Sequence, residues 1–189
     1  AQGHALKGPL RAAAKNPKYA VMKTVEVETP QKQTDGTTKT VVETRQVMQL
    51  PDEYYAIADG KPNTAVPNMS NPKVWDLYAE HYIEYFKTHP NERYVSLSAE
   101  DGIVTDDRPN SEALSSGEYD WMPGAPAVTD KLWFFHNRVI ERVVKEVPNA
   151  KFGILVYANN MAPPRIERVH PNMALVVAPL GVSPLHHVR

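Results

Sequence analysis

The sequence contains no cysteine. That excludes disulfides, thiolate metal ligands, iron–sulfur clusters and a cysteine nucleophile together. It leaves the redox compartment open. Positive charge is not in excess either: 21 Lys+Arg stand against 22 Asp+Glu, for a net charge of -1. The electrostatic footprint of a nucleic-acid binder is therefore missing, and no nucleic-acid partner is expected. No run approaches the roughly 18 apolar residues of a membrane helix, so no membrane partner is expected. A basic-then-apolar leader is lacking at the start. No Gly-rich phosphate loop, Gly-x-Ser-x-Gly elbow or His-Glu-x-x-His helix occurs, and no cofactor is expected.

What is present is ordinary in bulk and unusual in detail. Apolar residues make up 42% and charged residues 23% of 189 residues, which is globular composition and argues against wholesale disorder. Proline is plentiful, 17 of 189, about twice the usual ~5%. The chain opens on Ala1 and closes on Val188-Arg189, which reads as an excised or processed segment.

Residues 20–50 pattern as a β-hairpin. Val25 and Val27 alternate with Thr24, Glu26 and Glu28, and Asp35-Gly36 is a strong hairpin-turn dipeptide. A strand pair this polar on one face is expected to project as an insertion. Residues 51–72 read as irregular, broken by four prolines, with a turn at Asp59-Gly60. Asn71-Pro72 then opens a helix, with Val74, Leu77, Tyr78, Tyr82, Tyr85 and Phe86 at helical spacing. A second helix starts with Thr129 or Asp130 as its cap and buries Leu132, Phe135, Val139, Val143 and Val147.

Three strands follow turns of one type. His89-Pro90-Asn91, Val147-Pro148-Asn149 and His170-Pro171-Asn172 each precede an apolar stretch: residues 93–99, 151–158 and 173–178. Proline stops a helix, and asparagine tolerates the turn into a sheet. The last two stretches read as strands buried on both faces. The alternation is that of a parallel α/β sheet or barrel. The crossover at 159–172 is barely long enough for a parallel connection, so a regular helix is expected to be missing there. The resulting expectation is a (β/α)8 TIM-barrel-like fold in incomplete form, since a closed barrel needs about 250 residues. Residues 1–189 would form one such segment, with the 20–50 hairpin inserted in it.

In parallel α/β folds chemistry sits at the carboxyl ends of strands. That nominates Glu100 and Asp101, which follow the Ser96/Ser98 face of the first strand. Adjacent carboxylates push their pKa values apart, which suits one to donate a proton and the other to stay ionised, as glycosyl transfer requires. The alternative is a solvated pair closing a turn. After the second strand, Tyr157 and Asn159 share a face. A phenol ring and an amide suit sugar hydroxyls, or they simply cap the strand. The long loop at 101–128 carries Tyr119, Asp120, Trp121 and Met122, its only aromatic cluster. Trp121 would offer a flat face to a pyranose, or pack the loop down. His170, His186, His187, Asp106 and Asp107 have no ligand spacing, so no metal is expected.

Several blocks resemble one family. Residues 50–61 (LPDEYYAIADGK), 71–74 (NPKV), 94–102 (YVSLSAEDG), 157–164 and 171–173 resemble, in order and spacing, the bacterial domain-of-unknown-function 4838 family. That family is regarded as a glycoside-hydrolase-like barrel, similar to α-glucuronidase and β-hexosaminidase barrels, in secreted or polysaccharide-degrading proteins. The resemblance therefore implies carbohydrate processing and an extracellular or periplasmic location. Asp101 matches the family's Asp. Glu100 stands where the family has Asn, and the cysteines that commonly follow are absent here. The resemblance implies a carbohydrate substrate; the strand-end and loop reading nominates Asp101 and Glu100 as its acid/base pair, with Tyr157, Asn159, Trp121 and Asp120 lining the site. A non-catalytic carbohydrate-binding domain is the alternative. A structural one, self-associating through the hairpin edges, is another.

Overall fold

In a computed structural model of the chain, residues 6–34, 36–99, 106–120 and 124–178 are described. They fall into two compact units, one drawn from Ala1–Leu10 and Asp52–Arg189, the other from Arg11–Pro51.

The smaller unit is dominated by an antiparallel ribbon. A short helix α1 (Lys7–Ala13) runs into it, followed by strands β1 (Val21–Lys32) and β2 (Thr38–Gln49). The register runs from Val21 opposite Gln49 to Lys32 opposite Thr38. Alternation is visible in burial. Val25, Val27 and Val47 are half-buried, while Glu26, Glu28 and Thr44 on the other face are exposed. Gly36 takes φ +82 at the turn, which a side chain disfavours.

The larger unit holds two long helices and the parallel sheet. Helix α2 (Pro72–Thr88) starts as expected: Asn71 Oδ1 accepts the Lys73 N–H at 3.0 Å, and Pro72 occupies the first helical position. Its stripe of Val74, Leu77, Tyr78, Tyr82 and Phe86 is buried. A one-turn helix α3 (Pro109–Glu112) comes next, and helix α4 (Thr129–Glu146) buries Leu132, Phe135, Val139, Ile140 and Val143. Helices α2 and α4 pack together through the edge-to-face pairs Tyr78–Phe135 at 4.9 Å and Trp75–Phe134 at 5.5 Å. Fully burying a side chain of this size stabilises by about 1.5–3 kcal/mol. The exposed Arg142–Asp76 contact, 2.6 Å, adds little beside that.

Strands β5 (Tyr94–Ser96), β8 (Lys151–Val156) and β9 (Met173–Val177) form a parallel sheet in that order. The repeated Pro-Asn turns feed β5, β8 and β9, and the third is fastened to the second. Asn172 Nδ2 donates to Ala150 O at 2.7 Å and to Pro148 O at 3.3 Å. Within β8, Phe152, Ile154 and Val156 are buried and the opposite face is half-buried.

Three expectations fail. The chain is not a (β/α)8 barrel: among the described residues the parallel sheet has three strands and does not close. The remaining strands pair locally and antiparallel, as β1–β2, as β3 (Tyr55–Ala58) with β4 (Lys61–Pro67), and as β6 (Tyr119–Asp120) with β7 (Ala125–Pro126). They add nothing to the parallel sheet. The helix–turn–strand alternation fits an open sheet as well as a barrel, which is why it misleads. Second, residues 51–72 are not irregular. The β3–β4 hairpin occupies them, with Asp59 at φ 51 and Gly60 at φ 71, the left-handed pair a tight hairpin needs. Third, β9 is apolar yet not buried: Leu175, Val176 and Val177 are exposed, because β9 is the edge of its sheet. No helix among the described residues is long and apolar enough to cross a membrane.

Candidate functional site

The carboxyl edge of the parallel sheet is where the described site residues gather. Past β5, Ser98 prolongs the ladder with its side chain. Leu155 N–H donates to Ser98 Oγ at 2.9 Å, and Leu97 N–H donates to Gly153 O at 3.0 Å. Ser98 is thus a structural residue, not a face presented to a pocket. Glu100 and Asp101 come next in sequence and lie outside the described residues, as does Trp121.

Past β8 the chain makes a 3-10 turn, Ala158–Asn160. Tyr157 is half-buried and extended, and its N–H donates to Asn160 Oδ1 at 2.6 Å. Asn160 Nδ2 returns to Leu155 O at 3.2 Å. Ala158 takes φ 48, a left-handed value that a residue with a Cβ adopts only under constraint. Asn159 is buried; its carbonyl accepts the Val128 N–H at 2.9 Å, but its Nδ2 has no partner. Leaving a buried donor unpaired costs about 1–3 kcal/mol.

Two segments frame this turn. Strand β6 lies against it, so the Asp120 backbone and the Tyr157–Asn160 segment share one edge. The β6–β7 hairpin is closed at its base by Ala127 N–H donating to Glu118 O at 2.9 Å. The second frame is the 161–172 crossover, which lacks a regular helix, as its length implied. Helix α4 holds it as a strap. Thr129 Oγ donates to Ala162 O at 2.8 Å. Asp130 Oδ1 accepts the backbone N–H groups of Arg165, Ile166 and Glu167 at 3.0, 2.8 and 3.2 Å. Asn137 Nδ2 donates to Glu167 Oε2 and to Arg168 O. Burial acts to raise the Asp130 pKa. The donors from Ile166, Glu167, Ser116 and Arg165 outweigh it and hold the carboxyl below its usual value. Neither Thr129 nor Asp130 caps its own helix; Val128 stands at the cap position.

The other acidic and histidine candidates are structural or outside the described residues. Asp106 Oδ1 accepts the Ile57 N–H at 3.0 Å and pairs with Arg108 at 3.0 Å, pinning the loop to β3. His170 Nδ1 accepts the Asn172 N–H. His186 and His187 lie outside the described residues, among which no group of three or more metal-ligating side chains occurs. His136 on α4 is fully buried, and neither ring nitrogen has a well-formed hydrogen bond among the described residues; burial lowers its pKa to about 3, and the weak approach of the Leu97 backbone only partly opposes this. Sequence patterns did not single out His136, Asn160 or Tyr119 as site residues. The strand-end rule reaches Asn160, next to Asn159, and Tyr119 belongs to the aromatic cluster of the 101–128 loop; nothing local marks His136.

The opposite edge of the sheet differs. An open cavity of about 500 Å³ lies there, lined by Phe86, Pro90, Arg93, Tyr94, Val147 and Lys151. Lys151 Nζ donates to Pro171 O at 3.2 Å. No buried, unpaired polar atom lines this cavity among the described residues.

No curated protein and no solved structure matches the chain. One family model does, over residues 10–188, a span that takes in the β1–β2 hairpin as well as the sheet. With its paired strand-end asparagines, its strap and its local hairpins, the chain belongs to the family described as "Domain of unknown function (DUF4838)".

Proposed function

We propose that this is a carbohydrate-active domain that engages a polysaccharide or glycoconjugate along the carboxyl edge of its parallel sheet. The observation that carries the proposal is the buried, unpaired Asn159 Nδ2 at that edge. A donor kept without a protein acceptor suits an acceptor oxygen from outside, and sugars are dense in such oxygens. Because the atom is covered, ligand entry has to displace neighbouring side chains. Tyr157 would contribute an amphipathic ring, and Asp120 and Trp121 would come from the loop hairpin. Glu100 and Asp101 are the acid/base candidates: one carboxyl protonates the leaving oxygen while the other stays ionised. An extracellular or periplasmic setting goes with such a substrate.

The test is a glycan-hydrolysis screen of wild type against Asp101→Asn and Glu100→Gln. The proposal expects turnover of at least one glycan by wild type and a loss of about a hundredfold or more in one variant. Equal turnover by all three removes the carboxylate assignment. A second possibility, binding without turnover, is favoured by the parallel sheet, which among the described residues has three strands and does not close. Glycan-array binding with no product after prolonged incubation would select it.

A further inference from the structure

We infer that Tyr119 is an aromatic binding platform of this carbohydrate site, contacting the apolar C–H face of a sugar ring. The inference rests on the carbohydrate reading above and adds a residue to it. Tyr119 is 62% exposed, although it lies in strand β6 and pairs with Pro126. Its strand sits against the Ala158–Asn160 turn, so the strand that carries the ring lies at the same edge as Asn159.

The ring is oriented. Its hydroxyl oxygen lies 3.6 Å from where a Cβ would stand on Gly124, across the hairpin. Gly124 takes φ +64, a conformation that favours glycine. The side chain thus reaches across the hairpin to Gly124. No other aromatic ring packs on it among the described residues. The residue before it is anchored twice: Glu118 O accepts the Ala127 N–H, and Glu118 Oε1 pairs with Arg165 Nε at 3.5 Å. Arg165 is in turn tied through its N–H to Asp130 on α4. A flat apolar ring with a polar tip, held on an anchored hairpin and left open to solvent, matches a pyranose, which is apolar on its faces and polar at its rim.

The molecule supplies its own control. Tyr94 is equally exposed, at 61%, but lies at the opposite edge. Affinity electrophoresis through gels containing xylan, polygalacturonate, hyaluronan or glycol chitin measures binding by retardation. For any polymer that retards wild type, Tyr119→Ala should raise Kd roughly three- to tenfold. Tyr119→Phe and Tyr119→Trp should stay near wild type, since the face and not the hydroxyl makes the contact. Tyr94→Ala should not change Kd. Retardation unaltered in Tyr119→Ala, or lost equally in Tyr119→Phe and Tyr119→Ala, overturns the platform and leaves the carbohydrate reading standing. If none of the four polymers retards wild type, both the platform and the carbohydrate reading fall.

Discussion

The two edges of the parallel sheet use the same residue types for different ends. At the amino edge, Asn172 donates to Ala150 O and Pro148 O, and Lys151 donates to Pro171 O. Every one of these polar groups is occupied in closing a turn. At the carboxyl edge, Asn160 is equally occupied, but its neighbour Asn159 keeps a buried Nδ2 with no partner. Ala158 beside it holds a left-handed φ. An asparagine is thus not informative as a residue type. What matters is whether the fold consumes its hydrogen-bonding capacity or leaves some of it unused.

The contrast can be broken by removing what both edges share. Phe135→Ala empties a fully buried position in the α2–α4 contact. It should cost about 3–5 kcal/mol in urea unfolding and weaken both edges together. Acid should come next. The folded His136 pKa lies near 3, below its value of 6.5 in the unfolded chain. The unfolded state then binds the extra proton, so the His136 contribution is intact above pH 6.5 and shrinks as pH falls toward 3. His136→Leu should flatten that limb of a stability–pH curve. A curve flat between pH 6.5 and 4 in wild type would contradict the burial of a neutral imidazole.

Smaller changes separate the edges. Asp130→Ala removes the acceptor of three strap amides and should cost about 2–3 kcal/mol. Hydrogen exchange should accelerate at Arg165, Ile166 and Glu167 while Met173, the first residue of β9, stays slow. Because the folded Asp130 pKa is lowered, its contribution is present above the ordinary carboxyl value and is lost as pH falls through the folded pKa. Asn172→Ala should cost about 1–2 kcal/mol, since two carbonyls lose a donor. Tyr94→Ala, on the surface, should stay within about 0.5 kcal/mol of wild type.

Much of this architecture is legible in the residues. The β1–β2 hairpin follows from period-two alternation around Asp35-Gly36, α2 from Asn71-Pro72 and its stripe, and the three parallel strands from the Pro-Asn turns. These signals are local, and local physics decides them. The β3–β4 hairpin is hidden by Pro62 and Pro67, which argue against strand unless the strand is an edge. The exposure of β9 is not legible at all. Its Ala-Leu-Val-Val resembles the Gly-Ile-Leu-Val of β8; what separates them is that β9, unlike β8, has a strand on one side only among the described residues. The same holds for closure of the sheet, which depends on strand count rather than on any one strand. At the carboxyl edge, the strand-end rule nominates Tyr157 and Asn159. The roles of Asp130 and Asp106 depend on partners 35 and 49 residues away along the chain, so no spacing announces them.

The central claim is that Asn159 holds its amide for a ligand oxygen. The direct test is calorimetric titration of wild type and Asn159→Leu with a polymer that binds wild type, alongside each protein's thermal midpoint. The account predicts a roughly tenfold or greater loss of affinity at a midpoint that is unchanged or raised, because no protein hydrogen bond is lost from Nδ2. Unchanged affinity in Asn159→Leu would contradict it.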